Sequence, residues 1–171
     1  MSVTTDERLK FLRRLRAVKR FTTEPVTQET VENILEVGRW SGSGSNRQPW
    51  EVVVVRDPEV KRKLGEWGAQ PAATAAVVFL IVTTSDSAAF DEGRLAERLL
   101  LGAAAQGLGS TVATLKGDGI SAAKELLGIP AERRACTTVN VGYTDAEART
   151  ARPPNPQPRK PMVEFAHWDR Y

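Results

Sequence analysis

The sequence has very few of the side chains that build metal sites and nucleophilic centres. Among 171 residues it contains one cysteine, Cys136, and one histidine, His167. A zinc site of the usual spacing needs several such ligands, and a Cys-His or Ser-His-Asp arrangement needs a histidine beside its nucleophile. We therefore predict no metal ligand and no catalytic side chain, and hydrolysis is not expected.

The sequence also lacks signals for secretion and for membrane insertion. A lone thiol cannot form an intrachain disulfide, and no charged segment followed by an apolar one opens the chain. No apolar run is long enough to span a bilayer. These absences predict a cytoplasmic protein without a membrane partner. Cys136 is expected to be a buried, inert thiol, and His167 a packed or surface residue.

Charge of one sign is not in large excess. The chain has 24 Lys and Arg against 21 Asp and Glu, a formal net charge of +3, which does not indicate a nucleic-acid partner. The bases instead cluster near both ends and could meet around one anion, although a solvated cationic face and a basic tail are the simpler alternative. The two clusters comprise Arg13, Arg14, Arg16, Lys19 and Arg20, and then Arg149, Arg152, Arg159 and Lys160.

Hydrophobic periodicity predicts helices and strands that alternate along a single domain, residues 1–171. The helix that starts at Asp91 has apolar residues nearly all round and is expected to be central and buried. Ser121 is the expected cap of the last of these helices. The predicted helices cover 6–18, 27–40, 57–67, 91–106 and 121–127, and the strands cover 51–56, 76–83, 110–115 and 137–143.

The C-terminal region has a different composition. Prolines at positions 153, 154, 156, 158 and 161 must keep that segment extended. Such a segment could reach another subunit. The mixed apolar and aromatic residues from Met162 to Trp168 then predict that the last ten residues dock on a surface.

One loop stands out for the side chains it combines. Residues 41–50, SGSGSNRQPW, place small residues, two amides and a Pro-Trp pair between a predicted helix and a predicted strand. The amides of Asn46 and Gln48 suit the edge of a heteroaromatic ring, and Ser43 and Ser45 permit close backbone approach. A flexible polar turn is the simpler alternative, because small polar residues in loops usually have no other role.

Together these segments resemble the nitroreductase family of FMN-dependent enzymes, from about Arg16 to Tyr171. The most specific similarity is the serine and glycine followed by Asn-x-Gln-Pro-Trp at Ser43–Trp50. The order of the other landmarks is also similar. These landmarks are RAVKRF at 16–21 with Pro25-Val26, LLLGAAAQGLGS at 99–110, Gly128-Ile129-Pro130, Gly142-Tyr143 and Arg159-Lys160-Pro161.

The resemblance implies an α+β three-layer sandwich, with a central, mostly antiparallel sheet flanked by helices. It also implies a homodimer in which the tail, residues 152–171, wraps the partner subunit. Two active sites would lie at the interface, bind FMN and use NADH or NADPH as electron donor. A flat substrate such as a nitroaromatic or a quinone would then be reduced.

The resemblance also implies roles for particular residues. Arg16, Lys19 and Arg159 would bind the phosphate and ribityl end of FMN, with Lys160 assisting and Ala17 beside them. Ser43, Asn46 and Gln48 would approach the isoalloxazine from the other subunit. The backbone from Leu115 to Gly117 would face its N5 edge, and Gln70 falls near a position that contacts the flavin in some members.

Three departures from the family pattern leave other functions open. Ala17 replaces the usual serine, Leu15 stands where many members have an arginine, and Glu97-Arg98 replaces a common Gln-Asn. The first two remove expected cofactor contacts. One alternative is a flavin-binding or sensory module with little turnover. Another is a specialised relative, such as a dehydrogenase, a dehalogenase or an enzyme that destroys flavin.

Overall fold

A computed structural model describes residues 4–147 and 158–171. Its centre is a four-stranded antiparallel sheet in the order β1-β2-β4-β3. The strands are β1 (Trp50–Val55), β2 (Val77–Thr83), β3 (Gly109–Thr114) and β4 (Arg134–Gly142). The helices are α1 (Thr5–Arg14), α2 (Gln28–Arg39), α3 (Pro58–Glu66), α4 (Ala89–Ala105), α5 (Asp118–Leu127) and α6 (Met162–Phe165). Short 3-10 turns cover Gly44–Asn46, Gln70–Ala73 and Asp86–Ala88.

Helices cover both faces of the sheet, which confirms the predicted α+β sandwich. On one face, α3, α5 and the turn Gln70–Ala73 pack around Leu64, Leu80 and Leu115. On the other face, α2 and α4 pack around a second cluster that includes Phe79 and Leu99. All of β2 is buried, because it lies between two strands and between two layers of helices.

Two glycines let α2 and α4 approach each other closely. A Cβ at Gly102 would lie 3.3 Å from the carbonyl oxygen of Ile34, and one at Gly38 would lie 3.3 Å from Cδ1 of Leu95. The close approach carries the end of α2, and the loop that follows it, to the side of α4. This packing therefore sets where residues 41–50 begin.

The first predicted helix is shorter than the sequence pattern indicates. It ends at Arg14, and Leu15 has extended backbone angles, φ −54° and ψ 126°. Ala17 instead forms a parallel bridge with Ser110, and the Val18 amide donates to the Ser110 carbonyl at 2.9 Å. Pairing with the edge of β3 therefore overrides the helical spacing, and no residue of α1 is buried.

Two other helix predictions were wrong in detail. The helix predicted to start at Ser121 starts at Asp118, because Gly117 makes the preceding turn with φ 52° and ψ −137°. Helix α4 is buried along one face only, and Arg94, Glu97 and Arg98 on its other side are exposed. Its apolar side chains at 95, 96, 99 and 103 suffice to cover the sheet.

Part of the C-terminal prediction falls on residues 148–157, which lie outside the described residues. In the segment 158–171, the large apolar side chains are exposed, and docking of this segment stays a prediction. They are Met162, Val163, Phe165, Trp168 and Tyr171. Across the described ranges, no helix has the length and apolar content to cross a membrane.

Candidate cofactor site

The loop between α2 and β1 has an unusual backbone. Ser45, Asn46 and Gln48 have φ values of 51°, 54° and 47°, in the left-handed region that side chains other than glycine rarely adopt. Three such residues within four positions carry a conformational cost that persists only where other interactions hold the backbone. Backbone strain of this kind is concentrated at functional sites. A flexible polar turn, the simpler interpretation, would not explain these three φ values.

Hydrogen bonds inside the loop maintain that shape. The Gln48 amide donates to Ser43 Oγ at 2.8 Å, and the Asn46 amide donates to the Ser43 carbonyl at 3.0 Å. Arg47 donates from its backbone amide and from Nε to the Gly44 carbonyl. Ser45, Asn46 and Gln48 are exposed. The side chains of Ser45, Asn46 and Gln48 are therefore exposed on a segment whose backbone conformation is fixed by hydrogen bonds.

Arg16 and Lys19 flank the two residues that pair with the start of β3, Ala17 and Val18. Residues alternate between the two sides of a chain that pairs with a strand, so Ala17 and Lys19 share one side and Arg16 lies on the other. Arg16 Nη1 donates to the carbonyls of Arg13 and Leu15, both at 2.7 Å, at the C-terminal end of α1. Arg16 and Lys19 are exposed, and both lie after the end of α1, although the predicted helix 6–18 includes Arg16.

The chain that follows β3 has backbone amides with different partners. The Leu115 amide donates to the Cys136 carbonyl, and the Lys116 amide donates to the Trp67 carbonyl, each at 2.8 Å. For the Gly117 amide, no acceptor is found among residues 4–147 and 158–171. Leu115 is buried, so it can offer only its backbone to a ligand. Which backbone group of this segment faces a flavin stays a prediction.

Gln70 follows a stretch of chain that lies beside the end of β3. A Cβ at Gly68 would lie 2.9 Å from the Thr114 carbonyl, so the chain before Gln70 packs directly on the end of β3. Gln70 begins the next 3-10 turn and is exposed. The chain just before Gln70 therefore lies beside the end of β3, and a contact of Gln70 with a flavin stays a prediction.

The two groups of predicted site residues lie at opposite edges of the sheet. Trp50 at the start of β1 pairs with Thr83, Thr83 pairs with Arg134, and the start of β4 runs beside the end of β3. The loop before β1 and residues 115–117 after β3 therefore share one end of the sheet. Three inter-strand spacings of ~4.8 Å separate the two edge strands, which is roughly 14 Å.

Arg159 and Lys160 are exposed and begin the described C-terminal segment. No ion pair or hydrogen bond of either side chain occurs within the two described ranges. Their predicted convergence with Lys19 on a phosphate stays a prediction. His167 is also exposed and stacks against Tyr171, with ring centroids 4.5 Å apart. Cys136 is buried, as expected of an inert thiol.

An open cleft of about 580 Å³ lies between the loop and the exposed side of α4. Its lining includes Ser41, whose buried hydroxyl has no hydrogen-bond partner among the described residues. Arg94 lines it too, with its guanidinium against Gly42. The sequence analysis missed Arg94, because a charged residue on a predicted helix carries no signal for its long-range neighbours. The full lining is Ser41, Ala89, Phe90, Gly93, Arg94, Glu97, Arg98 and Leu101.

A buried ion pair fixes the start of α4. Glu92 is 3% exposed, and its Oε2 accepts from Arg134 Nε at 2.8 Å. Arg134 also pairs with Asp86 at 2.7 Å. Hydrogen bonds to Glu92 and then to Asp86 raise the pKa of Arg134 above its usual value. These contacts tie the chain before α4 to the first residue of β4.

Comparisons with known proteins agree with this geometry. The sequence pattern of the Nitroreductase family matches residues 12–82. A protein of Archaeoglobus fulgidus named as an NADH dehydrogenase/NAD(P)H nitroreductase is 31% identical over 153 residues, 83% of this chain and 88% of that protein. An iodotyrosine deiodinase of Nematostella vectensis is 38% identical over 66 residues, but the match covers 39% of this chain and 25% of the deiodinase.

Solved structures show the same fold. An FMN-dependent nitroreductase from Clostridium difficile superposes with a TM-score of 0.78 at 19% identity, over 95% of this chain and 99% of that chain. The antiparallel sheet, its two helical layers and the similarity to 88% of the archaeal protein agree with one another. The chain belongs to the nitroreductase family.

Proposed function

We propose that the protein is an FMN-dependent oxidoreductase that acts as a cytoplasmic homodimer. It takes hydride from NADH or NADPH and reduces nitroaromatics, quinones or similar flat acceptors by a ping-pong mechanism. The names of the archaeal relative and of the clostridial structure support oxidoreductase chemistry of this class. Membership of the family supports the choice of cofactor.

The position of the site residues at opposite edges of the sheet carries this proposal. Ser43, Asn46 and Gln48 lie near the β1 edge, whereas Lys19 and Gly117 lie near the β3 edge. Within one chain the two groups stand roughly 14 Å apart, with β2 and β4 between their strands. A second copy of the chain would bring the loop of one subunit to the β3 edge of the other, and a C2 dimer would form two such sites.

The residues at the β3 edge fit a flavin mononucleotide. Gly117 has no Cβ, and its amide has no acceptor within the described part of the chain, so a planar ring can approach its backbone. Lys19 is exposed beside Ala17 and would pair with the phosphate, and Arg159 and Lys160 would complete that contact with Arg16 near them. Gln70 would offer an amide next to Gly117.

The bound flavin would supply the hydride transfer, and the protein would supply binding, orientation and electrostatics. Gly117 would donate its N–H toward the N5 edge, and the nearby cations would favour negative charge on the reduced ring. The loop from Ser43 to Gln48 would form the second wall. With these roles the protein needs no nucleophilic side chain, in line with its single cysteine and single histidine.

Three measurements on the purified protein test this proposal. We expect FMN at about 10 µM to bind, the protein to sediment as a dimer, and NADH or NADPH to be oxidised with a nitroaromatic or a quinone. Parallel lines in double-reciprocal plots would support the ping-pong mechanism. A protein that is dimeric but does not bind FMN would refute the proposal, and one that binds FMN without turnover would favour the flavin-binding or sensory alternative.

A second candidate is reductive dehalogenation. The similarity to iodotyrosine deiodinase favours it, but this chain matches only 25% of that protein. Iodide release from an iodinated phenol, compared with NADPH oxidation by a quinone in the same preparation, separates the two functions. Dehalogenation that exceeds quinone reduction would replace the first proposal with this one.

A further inference from the structure

The guanidinium of Arg94 covers the backbone where the strained loop begins. A Cβ at Gly42 would lie 3.1 Å from Arg94 Cζ and 3.3 Å from Nη1. Gly42 is not in the left-handed region, so a larger residue there would displace the Arg94 guanidinium rather than strain the backbone. The guanidinium also lies 5.9 Å from the centre of the Phe90 ring, and its Nη1 is 3.9 Å from Asp91 Oδ1. The guanidinium thus has Gly42, Phe90 and Asp91 as neighbours, although the side chain is 46% exposed.

The loop needs such a contact because its own hydrogen bonds fix only its shape. Among the described residues, every hydrogen bond made by residues 43–48 stays within that segment. Three left-handed residues carry a conformational cost that contacts outside the segment must help to offset. The position of the loop relative to the sheet therefore depends on the packing of its ends, at Ser41 and Gly42 on one side and at Pro49 on the other.

We propose that Arg94 is a positioning residue for residues 43–48, and that Gly42 is required so that the guanidinium can lie against the backbone. The proposal rests on the proposed function, because it assigns this loop to the wall of a flavin site. Arg94 acts through Gly42 and does not itself need to touch the flavin. Its planar group can pack flat on a glycine backbone, whereas the compact ammonium of a lysine cannot.

The cleft supplies a matched control. Arg98 lies one helical turn after Arg94, carries the same charge, is exposed and lines the same cleft. No atom of Arg98 is among the atoms nearest to a Cβ at Gly42. Arg98→Ala therefore removes a charge from the cleft without removing the contact on the loop.

The first experiment measures FMN affinity, the visible flavin spectrum and steady-state kinetics of the holoenzyme. We expect Arg94→Ala to weaken FMN binding about tenfold and to lower kcat/KM by ~10- to 100-fold, the loss that a displaced wall of about 1 Å can cause. Arg94→Lys should resemble Arg94→Ala, and Arg98→Ala should stay within about twofold of the wild type. The melting temperature of the flavin-free protein should be the same for Arg94→Ala and Arg98→Ala.

A double substitution tests the contact itself. Gly42→Ala should reproduce the effect of Arg94→Ala, because the added methyl group displaces the guanidinium. In the Arg94→Ala background the same change should add less than about twofold, since the clashing group is gone. Additive effects would overturn the proposal. So would equal losses in Arg94→Ala and Arg98→Ala, or full recovery in Arg94→Lys, because either result would assign the effect to charge alone.

Hydrogen exchange of the flavin-free protein separates this inference from the proposed function. Amides of residues 42–48 should exchange about tenfold faster in Arg94→Ala than in the wild type or in Arg98→Ala. If the wild type does not bind FMN, the proposed function fails while this measurement still reports on the loop. Unchanged exchange in Arg94→Ala would overturn the positioning role even in a protein that binds FMN.

Discussion

Substitution of Gly117 by alanine tests the flavin-facing end of β3. Gly117 has φ 52° and ψ −137°, a conformation open mainly to glycine, and a Cβ there would have no neighbour within 4 Å. The cost of Gly117→Ala is therefore backbone strain without a clash, of order 1–3 kcal/mol. For a chain of this size each kcal/mol lowers the melting temperature by ~2–4 °C, so a fall of about 2–12 °C is expected.

Gly128 provides the matched control for that substitution. It is also left-handed, with φ 66° and ψ 28°, its added Cβ would also meet nothing within 4 Å, and it lies at the far end of α5. Gly128→Ala should cost roughly 1–2 kcal/mol and leave FMN binding unchanged. Gly117→Ala should weaken FMN binding at least tenfold in a fluorescence titration at a temperature where both variants are folded. Equal FMN affinity in the two variants would refute the assignment of the Gly117 amide to the flavin.

Three further predictions concern the phosphate contact and two ion pairs. Arg159→Ala should release FMN with the melting temperature of the flavin-free protein unchanged, and unchanged FMN affinity would remove Arg159 from the phosphate site. Hydrogen bonds, chiefly from Arg39, lower the pKa of Glu36 to about 2. Any difference in the free energy of unfolding between the wild type and Glu36→Gln should therefore be fully present above about pH 4.5 and should be lost as the pH falls through about 2. Acid unfolding of both proteins measures this difference. Arg134→Met should cost ~2–4 kcal/mol in urea unfolding, because it leaves the buried Glu92 carboxylate unpaired. A loss of unfolding free energy in Arg134→Met that is smaller than the loss in Glu92→Gln would contradict this explanation.

Local signals allowed most of the elements to be predicted. Thr27 and Asp57 accept hydrogen bonds from the first turns of α2 and α3, as their positions in the sequence predicted. Gly107 is left-handed after α4, as expected of a residue that ends a helix. Each of these features depends on residues at most four positions apart. The family landmarks are likewise short segments, and their residue types alone distinguish the loop at 41–50 from an ordinary turn.

Contacts between distant residues account for what the sequence pattern missed. The leucines at 9, 12 and 15 continue a helical spacing, but pairing of Ala17 with Ser110 ends the helix at Arg14. Arg94 and Gly42 are 52 positions apart, and neither residue predicts the other. Such contacts depend on how α2 and α4 pack, and single-residue propensities contain no information about that packing.

The sequence by itself determined the family, the order of helices and strands, and the types of side chain available for binding, because caps, periodicities and motifs are local properties of the chain. The tertiary structure decided how those side chains are grouped. The order β1-β2-β4-β3 separates the loop of Asn46 from Lys19 and Gly117 by the width of the sheet. Strand order follows from long-range packing, and so only the folded chain shows that the two groups of site residues lie at opposite edges.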